Sequence, residues 1–460
     1  MSNEWTSSAS EVLLGLTELP ARGRRAALEA ALREAVRAGR LPAGQQLPSS
    51  RALATDLGLA RGTVVEAYAQ LVAEGYLTTR PGGATLVAAG APAPAPAAGP
   101  PPAPATRAVD LYPGRPDVRL FPRQAWARAL RQVLATLPAA ALSYGDPAGH
   151  PVLREALAGL LARRRGVVAG ADRVLVGQGV GHGLALVAAW ARQAGHTAVA
   201  VEDPGSPPIW ELLIAHGLRP VPLPVDAGGL DPDRLAALTG VRLAMVTPAH
   251  QFPTGSVLAP DRRRALVAWA DRVDGLVLED DYDGDFRYDR APVGALQALA
   301  PERVVYVGSA SKSLAPALRL GWLVAPFALV GEVAAERRHH DLMTPVLDQL
   351  AFAELIRSGA YDRHLRLSLR TYRERRETVQ AVLAATRPDW TLSGIAAGLH
   401  VLAEVGEDAP ALVARAAAAG IRVPSLATYS TTAAADALVL GYAHLRPAEL
   451  TPALHALAAV

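Results

Sequence analysis

One stretch of the sequence decides the fold, and it reads Gly308-Ser309-Ala310-Ser311-Lys312-Ser313-Leu314-Ala315-Pro316-Ala317-Leu318-Arg319-Leu320-Gly321-Trp322. Lys312 is the only lysine in the chain, although lysines and arginines together number 46. Unlike a guanidinium, an amine can lose its proton near neutral pH and attack a carbonyl to form a Schiff base. The single lysine therefore indicates a reactive amine. The alternative is compositional, because a chain so rich in alanine, proline and arginine uses little lysine anyway.

The residues around Lys312 favour the chemical explanation. The apolar, β-branched run at 304–307 predicts a buried strand. Lys312 then falls on the loop at the strand's end, where α/β sheets hold ligands. Ser309 and Arg319 supply a hydroxyl and a guanidinium, which suit a phosphate-bearing aldehyde. The segment resembles the lysine segment of pyridoxal-phosphate (PLP) enzymes with the aspartate aminotransferase fold, which implies a Schiff base between PLP and Lys312.

The long C-terminal part of the chain has the pattern of an α/β domain. Apolar strands alternate with helical patterns, which is typical of a mostly parallel sheet with helices on both faces. The resemblance implies an aminotransferase-like domain over 109–460, divided into a large part at about 109–340 and a small part at about 341–460. Seven strands are predicted, at 174–176, 198–202, 219–223, 242–246, 276–279, 304–307 and 320–324.

Residues 20–88 follow a different pattern, of three helices and a hairpin. The first helix is predicted at 25–36, and the second begins at Ser49 or Ser50 as N-cap. The third spans 61–74, and short strands follow at 76–79 and 84–88. This order defines a mainly α winged helix-turn-helix. The third helix is predicted to bury Val64, Val65, Tyr68, Leu71 and Val72.

The third helix is the element expected to enter the major groove of DNA. Its N-terminal residues would reach base edges, while other arginines would lie near phosphates or the groove edge. A helical domain that does not bind DNA is the alternative. The motifs Leu47-Pro48-Ser49-Ser50-Arg51, Arg61-Gly62-Thr63-Val64 and Glu74-Gly75-Tyr76 resemble the GntR DNA-binding domain. The predicted DNA-binding residues are Arg51, Arg61, Gly62, Thr63, Arg80 and Gly82.

An alanine- and proline-rich segment at 89–108 separates the two parts. Such a tract cannot form a core and favours polyproline II, which could span on the order of 55 to 60 Å as a semi-rigid spacer. Binding to a proline-recognition domain is the alternative. A GntR-type head, a linker and an aminotransferase-like domain together resemble the MocR group of GntR-family transcriptional regulators.

Acidic and aromatic residues follow the strand at 276–279. The run Glu279-Asp280-Asp281-Tyr282 resembles a PLP-enzyme motif, which implies that Asp280 contacts the pyridine nitrogen and Tyr282 the phenolate oxygen. An acidic loop that binds a metal or only water is the alternative. The loop Thr247-Pro248-Ala249-His250-Gln251-Phe252-Pro253-Thr254-Gly255 resembles the MocR form of a PLP-binding loop. Phe252 replaces the asparagine of aminotransferases, so Tyr282 must do more of the work of holding the phenolate.

A glycine-rich turn between a strand and a helix predicts the phosphate site. Gly177-Gln178-Gly179-Val180-Gly181-His182-Gly183 would cradle a phosphate at a helix N-terminus. The segment Tyr144-Gly145-Asp146-Pro147 resembles one whose tyrosine reaches the phosphate from the neighbouring subunit, which implies a homodimer. The remaining cofactor-binding residues that the resemblance implies are Val180, Gly181, His182, Ser309, Ser311, Arg319, Tyr144 and Pro253.

Two departures from the family pattern concern the effector. Ser206 stands where relatives have a tyrosine that stacks on the pyridine ring, and His182 is a candidate to cover the ring instead. The arginines that grip an effector carboxylate in relatives are missing at their usual positions. Either Arg115 and Arg422 replace them, or the effector is not an amino acid and PLP itself is sensed.

The absence of cysteine agrees with a reducing cytoplasm, and the resemblance implies a bacterial regulator located there. The 460-residue chain fits two or three domains, carries a net charge of +3 and contains no cysteine. We expect no signal peptide, no membrane segment and no metal site. The resemblance implies a homodimer that binds operator DNA and responds to PLP, an amine or an amino acid. The alternatives are a working aminotransferase with a DNA-binding head and a regulator whose large domain is a cofactor-free dimerisation relic.

Overall fold

The computed structural model describes residues 22–80, 84–89, 109–289, 293–432 and 435–460. The chain divides into two compact units, Met1–Pro104 and Ala105–Val460. Each unit is described by itself. The predicted linker at 89–108 lies outside the described residues apart from its first residue, and so does Gly82.

The N-terminal unit has the predicted order of three helices and a hairpin. The helices are α1 (Arg24–Arg37), α2 (Ser50–Asp56) and α3 (Arg61–Ala73). Strands β1 (Leu77–Thr79) and β2 (Thr85–Val87) pair antiparallel. The side chain of Ser49 caps α2 by accepting the Ala52 N–H at 3.1 Å, which satisfies a donor that the helix leaves free. The predicted winged helix-turn-helix is therefore present.

The prediction that Val65 of α3 is buried is wrong. Val64 is fully buried, but Val65 is 46% exposed. Successive residues of a helix are separated by about 100° around its axis, so Val64 and Tyr68 share one face while Val65 points about 100° away from Val64, beyond the edge of that face. Val72 is only half-buried. The exposed side of α3 consequently carries an apolar side chain among polar ones.

This difference between neighbouring valines predicts different effects of truncation. We expect Val64→Ala to lower the unfolding free energy of the N-terminal unit by about 2 kcal/mol, because the change removes buried methyl groups and leaves a cavity. Val65→Ala should change it by less than about 0.5 kcal/mol. Urea unfolding of the two variants, followed by circular dichroism, measures both values. Equal losses would contradict the burial described here.

An eight-stranded sheet forms the centre of the C-terminal unit. The short strand β3 (Val109–Asp110) lies outside this sheet. The strands of the sheet are β4 (Val174–Gly177), β5 (Ala198–Asp203), β6 (Arg219–Asp226), β7 (Gly229–Leu230), β8 (Leu243–Val246), β9 (Leu276–Asp280), β10 (Val304–Ser309) and β11 (Gly321–Val324). They lie side by side in the order β4-β11-β10-β9-β8-β5-β6-β7. All seven predicted strands are confirmed, and the short β7 was not predicted. β11 runs antiparallel to both of its neighbours, β4 and β10, whereas β5, β6, β8, β9 and β10 pair with one another in parallel.

Helices cover both faces of this sheet. Val305 and Val307 belong to the hydrophobic cluster that includes helix Val180–Gln193 on one face. Val304 belongs to the cluster of helix Pro260–Val273 on the other. Strands with both faces covered must be apolar at every position, which explains the continuous runs in the sequence. The other helices around the sheet are Arg123–Thr136, Pro151–Arg165, Pro207–Ala215, Pro232–Ala236, Phe327–His340 and Val346–Arg357.

The last hundred residues form a smaller layer. A long helix, Ala360–Thr386, precedes an antiparallel sheet of Thr391–Ser393, His400–Glu404 and Ala437–Gly441. Helices Ala409–Ala418 and Pro447–Ala458 complete the layer. Strand Ile421–Arg422 pairs in parallel with Val109–Asp110. The beginning of the C-terminal unit is thus hydrogen-bonded to its end.

Candidate cofactor site and DNA-binding surface

A cavity of about 540 Å³ opens at the carboxyl ends of the central strands. Strands β5, β8, β9 and β10 all end beside it, as expected for a ligand site in an α/β sheet. Eight of the predicted cofactor-binding residues line this cavity, although they come from distant parts of the sequence. They are Val180, Gly181, Asp280, Tyr282, Ser309, Ser311, Lys312 and Arg319.

Lys312 lies in the cavity with its amine held in place. Its Nζ donates a hydrogen bond to the Gly114 carbonyl oxygen at 2.6 Å. Burial lowers the pKa of Lys312, and the nearby Asp280 and Asp283 oppose this effect only in part. A lowered pKa increases the fraction of neutral amine, which is the nucleophilic form. The environment of Lys312 therefore suits attack on a carbonyl.

Asp280 is a half-buried residue whose carboxyl group has one oxygen, Oδ1, enclosed by the protein. Among the described residues, none donates to its Oδ1 atom. Burial, assisted by the neighbouring charge of Asp281, raises the pKa of Asp280 to about 8. A buried acceptor without a partner is costly, so the site fits a ligand that brings a charged donor. The protonated pyridine nitrogen of PLP is such a donor.

The raised pKa of Asp280 predicts the pH dependence of the cofactor-free protein. Its usual pKa is 3.8, so between about pH 4 and 8 the folded state binds a proton that the unfolded state has lost. Stability therefore falls as pH rises through this window, by at most about 1.4 kcal/mol per pH unit from this group. We expect Asp280→Asn to make the decline of the unfolding free energy shallower up to pH 8.

A matched control for this pH prediction is Glu202→Gln. Burial raises the pKa of Glu202 to about 7, so this variant should flatten the profile only up to pH 7. Urea unfolding of each cofactor-free variant at pH 5, 6, 7 and 8 gives the slopes. If the unfolding free energy of Asp280→Asn changes with pH as it does in the parent protein, the raised pKa assigned to Asp280 is contradicted.

The turn before helix Val180–Gln193 forms a cradle for an anion. Gly179 has a φ of 94°, and a Cβ atom built on it would lie 3.4 Å from Nη1 of Arg319. A Cβ atom on Gly321 would lie 2.6 Å from the Gly179 Cα atom. The glycines thus let a guanidinium approach a helix N-terminus, and both groups attract negative charge. This combination fits a phosphate group.

The hydroxyl of Tyr282 belongs to a buried polar network. His250 Nδ1 lies 3.0 Å from the Tyr282 hydroxyl oxygen and 2.9 Å from Asp283 Oδ2. Burial, with the charge of Asp283, raises the pKa of Tyr282 well above 10. The Phe252 ring meets the Tyr282 ring edge-on, with 6.1 Å between centroids. The sequence alone assigns His250 no role, because only the fold brings this histidine to Tyr282.

Two of the predicted residues lie away from the cavity lining. His182 Nδ1 accepts the Gln178 N–H at 3.0 Å, and its Nε2 lies 3.8 Å from Asp341. This side chain therefore does not line the cavity, contrary to the expectation that its ring covers the pyridine. Pro253 lies just outside, where its carbonyl oxygen accepts from His400 Nε2 at 3.2 Å.

Tyr144 is also outside the cavity lining of its own chain. Its side chain is 86% exposed, which is unusual for a large aromatic residue. Its backbone neighbour Gly145 donates its N–H to the sulfur of Met343 at 3.1 Å. The exposed ring is compatible with the predicted role in a second subunit.

The two arginines proposed to grip a carboxylate are paired with an acid of this chain. Arg115 and Arg422 both form ion pairs with Asp110, and the guanidinium of Arg422 also lies 4.6 Å from the Tyr112 ring centroid. Neither lines the cavity. Among the described residues that do, the positively charged side chains are Lys312 and Arg319. The expectation that Arg115 and Arg422 face the ligand is therefore not met.

The wall of the cavity away from Arg319 is apolar and acidic. Ser206 occupies it together with the prolines and the tryptophan of the following helix, Pro207–Ala215. The Glu202 carboxylate accepts hydrogen bonds from the Thr247 N–H at 3.0 Å and from Gln251 Nε2 at 3.3 Å. This wall accordingly offers hydrogen-bond acceptors and hydroxyls, but no cation, to a ligand.

A segment from the small layer closes the cavity. Thr428 and Tyr429 line it, and the Tyr429 carbonyl oxygen accepts the Gly205 N–H at 2.8 Å. The next residues bind the buried Asp203, which accepts from the Ser430 hydroxyl at 2.7 Å and from the Thr431 N–H at 3.2 Å. We call 428–431 the roof segment.

In the N-terminal unit, most of the predicted DNA-binding residues are accessible. Arg61 and Gly62 are exposed at the N-terminal end of α3, and Thr63 is half-buried. Arg51 is exposed on α2, and Arg80 is exposed at the end of β1. The exposed side of α3 therefore presents a guanidinium at the end where recognition helices contact bases.

The described residues contain neither a membrane-spanning helix nor a metal-binding cluster. None of their helices is both long and apolar enough to cross a bilayer. None of their histidine, aspartate and glutamate side chains form a group of three or more arranged to hold a metal ion.

Known proteins resemble both units of the chain. The family model for bacterial regulatory proteins of the gntR family matches residues 24–87, and that for aminotransferases of class I and II matches residues 111–457. The pyridoxine biosynthesis transcriptional regulator PdxR of Corynebacterium glutamicum is 33% identical over 89% of this chain and 90% of its own. The rhizopine catabolism regulatory protein MocR of Rhizobium meliloti is 31% identical over 93% and 91%.

Solved structures agree with the fold of the C-terminal unit. Kynurenine aminotransferase of Pyrococcus horikoshii superposes with a TM-score of 0.70 at 23% identity, covering 77% of this chain and 91% of that one. The C-terminal unit thus belongs to the class I and II aminotransferase family, whose members depend on PLP. The whole chain belongs to the MocR-type GntR-family transcriptional regulators, which join a DNA-binding domain to a PLP-dependent domain.

Proposed function

We propose that this regulator senses PLP itself, and that PLP binding in the cavity controls how the N-terminal unit binds its operator. The observation that carries the proposal is the composition of the cavity. It has an amine, a carboxyl oxygen without a hydrogen-bond donor and an anion cradle, which suit PLP, and the described residues that line it include no further cation to hold the carboxylate of an amino acid. The relative named for pyridoxine biosynthesis supports the same effector.

Each of the eight predicted residues that line the cavity has a part in holding PLP. When bound, PLP supplies an aldehyde that condenses with a primary amine. Lys312 provides that amine, and its lowered pKa keeps part of it neutral. Asp280 accepts from the pyridine nitrogen, and Arg319 with the N–H groups of Val180 and Gly181 holds the phosphate. Ser309, Ser311 and Tyr282 donate to the phosphate and phenolate oxygens.

We infer that the regulator acts as a homodimer in the cytoplasm. Operators of dimeric helix-turn-helix proteins have two half-sites, so each protomer contributes one DNA-binding head. Tyr144 would contact the PLP phosphate in the opposite subunit. We expect Tyr144→Phe to weaken PLP binding without changing the dimeric mass in analytical ultracentrifugation. A monomeric mass for the parent protein would contradict this part of the proposal.

The test of the effector uses operator DNA selected with the full-length protein. PLP should change the affinity for this DNA, measured by fluorescence anisotropy, while pyridoxine and alanine should not. A response that requires alanine in addition to PLP would overturn PLP sensing and indicate an amino-acid effector. An unchanged affinity with PLP, although PLP binds, would separate cofactor binding from regulation.

A second candidate effector is a primary amine without a carboxylate. The acidic and hydroxyl-bearing wall near Ser206 and Glu202 favours it, because such a wall would repel a carboxylate but accept an amine or hydroxyl tail. Ethanolamine added with PLP provides the probe. A response to ethanolamine and PLP together, but not to PLP alone, would favour this candidate.

The remaining alternative is an active aminotransferase. Turnover requires that amino and keto acids are held by their carboxylates, and Phe252 replaces the asparagine of active relatives. We expect steady-state transamination with added amino and keto acids to be undetectable or very slow. Sustained turnover comparable to that of an aminotransferase would favour the enzyme.

A further inference from the structure

Behind the cavity, His250 and Asp283 form a buried pair that none of the roles assigned above uses. Each side chain is nearly inaccessible, with 4% of its residue exposed. His250 Nδ1 lies 3.0 Å from the Tyr282 hydroxyl oxygen and 2.9 Å from Asp283 Oδ2, so the histidine links the carboxylate to the tyrosine. The pair therefore stands between Tyr282 and the interior of the domain.

The position of the proton on His250 follows from its partner. An ionised carboxylate can only accept, so the short contact with Asp283 requires a hydrogen on Nδ1 of His250. A nitrogen that carries a hydrogen cannot accept one from Tyr282. The Tyr282 oxygen is therefore the second acceptor of a three-centre bond. Its own hydrogen must point to an acceptor other than His250, which is either Asp283, also in hydrogen-bond contact with Tyr282, or a ligand oxygen in the cavity that Tyr282 lines.

The surrounding backbone leaves the pair little freedom to turn. A Cβ atom on Gly398 would lie 2.1 Å from His250 Cε1 and 2.7 Å from Asp283 Oδ2. Gly398 has a φ of 71°, and a Cβ atom on Gly255 would lie 3.3 Å from His250 Nε2. Because two glycines close on the ring, the imidazole has a defined orientation rather than a choice of rotamers.

A neighbouring aromatic residue shows why such a pair is needed. Phe252 fills the space beside Tyr282 with a ring that can neither donate nor accept a hydrogen bond. A ligand oxygen in front of Tyr282 thus receives no donor from residue 252. The Tyr282 hydroxyl must supply that hydrogen bond alone, and its orientation becomes more important. An N–H that donates to the phenolic oxygen also strengthens the phenol as a donor.

We propose that His250 and Asp283 are positioning residues that orient the Tyr282 hydroxyl toward the phenolate oxygen of PLP, a task that Phe252 cannot share. Neither residue lines the cavity, so both act through Tyr282. The inference rests on PLP binding in this cavity as proposed above. The competing explanation is structural: the pair would only tie the loop of His250 to the end of strand β9.

A double-mutant cycle on the full-length protein separates these explanations. The variants are His250→Phe, Tyr282→Phe and the double variant, and the probe is PLP. The two readouts are the PLP dissociation constant and the pH midpoint of the visible absorbance of the bound cofactor. We expect His250→Phe to weaken PLP binding about tenfold and to move the midpoint in the same direction as Tyr282→Phe. In the double variant the histidine change should add nothing.

Two further variants keep the test decisive. His250→Asn retains an N–H near the place of Nδ1 and should restore most of the affinity, and Asp283→Asn should resemble His250→Phe. The other titratable groups near the pair, namely Asp280, Glu202, Lys312 and His400, remain unchanged throughout the set. Thermal melting of each variant confirms that the domain is folded.

The outcomes are distinct. Additive effects of His250→Phe and Tyr282→Phe, or a loss of thermal stability without a change in either PLP readout, would overturn the positioning role. A parent protein that binds no PLP would instead contradict the cofactor site.

Discussion

Replacing Lys312 with alanine is expected to abolish covalent attachment of PLP in the cavity. Lys312 is the amine that lines the cavity, and its Nζ is held 2.6 Å from the Gly114 carbonyl oxygen. Without it, the visible absorbance of bound PLP should disappear, and borohydride reduction should leave no adduct in the peptide 304–324. The measurement is an absorbance spectrum of the protein with PLP, followed by reduction and peptide mapping.

The matched control is Lys312→Arg, which keeps a positive charge beside Asp280 but cannot condense with an aldehyde at neutral pH. It should lose the adduct as completely as the alanine variant does. The chain has one lysine, so the N-terminal amine is the other primary amine that PLP can label. An adduct that persists at the N-terminus in all three proteins, and never at Lys312, would remove covalent PLP chemistry from this cavity.

The second large effect is expected from Arg61→Ala in the N-terminal unit. Arg61 is exposed at the N-terminal end of α3, where a recognition helix contacts base edges. A bidentate arginine contact with a guanine contributes about 1 to 3 kcal/mol, so the variant should bind its selected operator about 5- to 150-fold more weakly. Binding to unrelated DNA should change much less. Fluorescence anisotropy with both DNAs measures the ratio.

Arg51→Ala is the control for this prediction, because Arg51 is expected at a phosphate. Its loss should weaken binding to both DNAs alike and reduce the slope of log affinity against log salt by about 0.9. If Arg61→Ala also lowers both affinities equally and changes the salt slope, Arg61 contacts the backbone rather than a base.

The architecture of the chain could be predicted because its signals are local. A strand covered on both faces is a continuous apolar run, and each of the seven runs that the sequence showed forms a strand of the central sheet. The two-residue strand Gly229–Leu230 was missed because it is too short to have a pattern of its own. Val65 was misplaced because an apolar residue beside a buried one looks like core in the sequence, while its exposure depends on its angle around the helix.

The cavity was predictable where a residue follows a strand directly. Asp280 and Ser309 end their strands, and Lys312 follows the same strand as Ser309, so the sheet edge brings them together. Partners that depend on tertiary contacts could not be predicted. Arg115 and Arg422 form ion pairs with Asp110. The strand Ile421–Arg422 pairs with Val109–Asp110 and so brings Arg422 to Asp110, and no local sequence pattern predicts this strand pairing.

The contribution of His250 could not be predicted from its loop for the same reason. Its two partners follow strand β9, about thirty residues later in the chain, and the glycine that confines its ring comes from the small layer. The loop itself shows only a histidine and a glutamine before a proline. Strands β8 and β9 are parallel neighbours, so the residues that follow them, His250 and Asp283, lie at the same edge of the sheet. That placement was the one signal in the sequence that could have predicted their contact.

The two units of the regulator are completed at different times during translation, because the roof segment lies near the end of the chain. Residues 428–431 close the cavity and leave the ribosome near the end of translation, whereas the three helices and the hairpin of the N-terminal unit emerge first. Domains fold as units in the order of their synthesis, and the interval is on the order of tens of seconds. A nascent chain can therefore contain a folded N-terminal unit before the roof segment that closes the cavity has been synthesised. The cavity should therefore bind PLP only after nearly the whole chain has been synthesised.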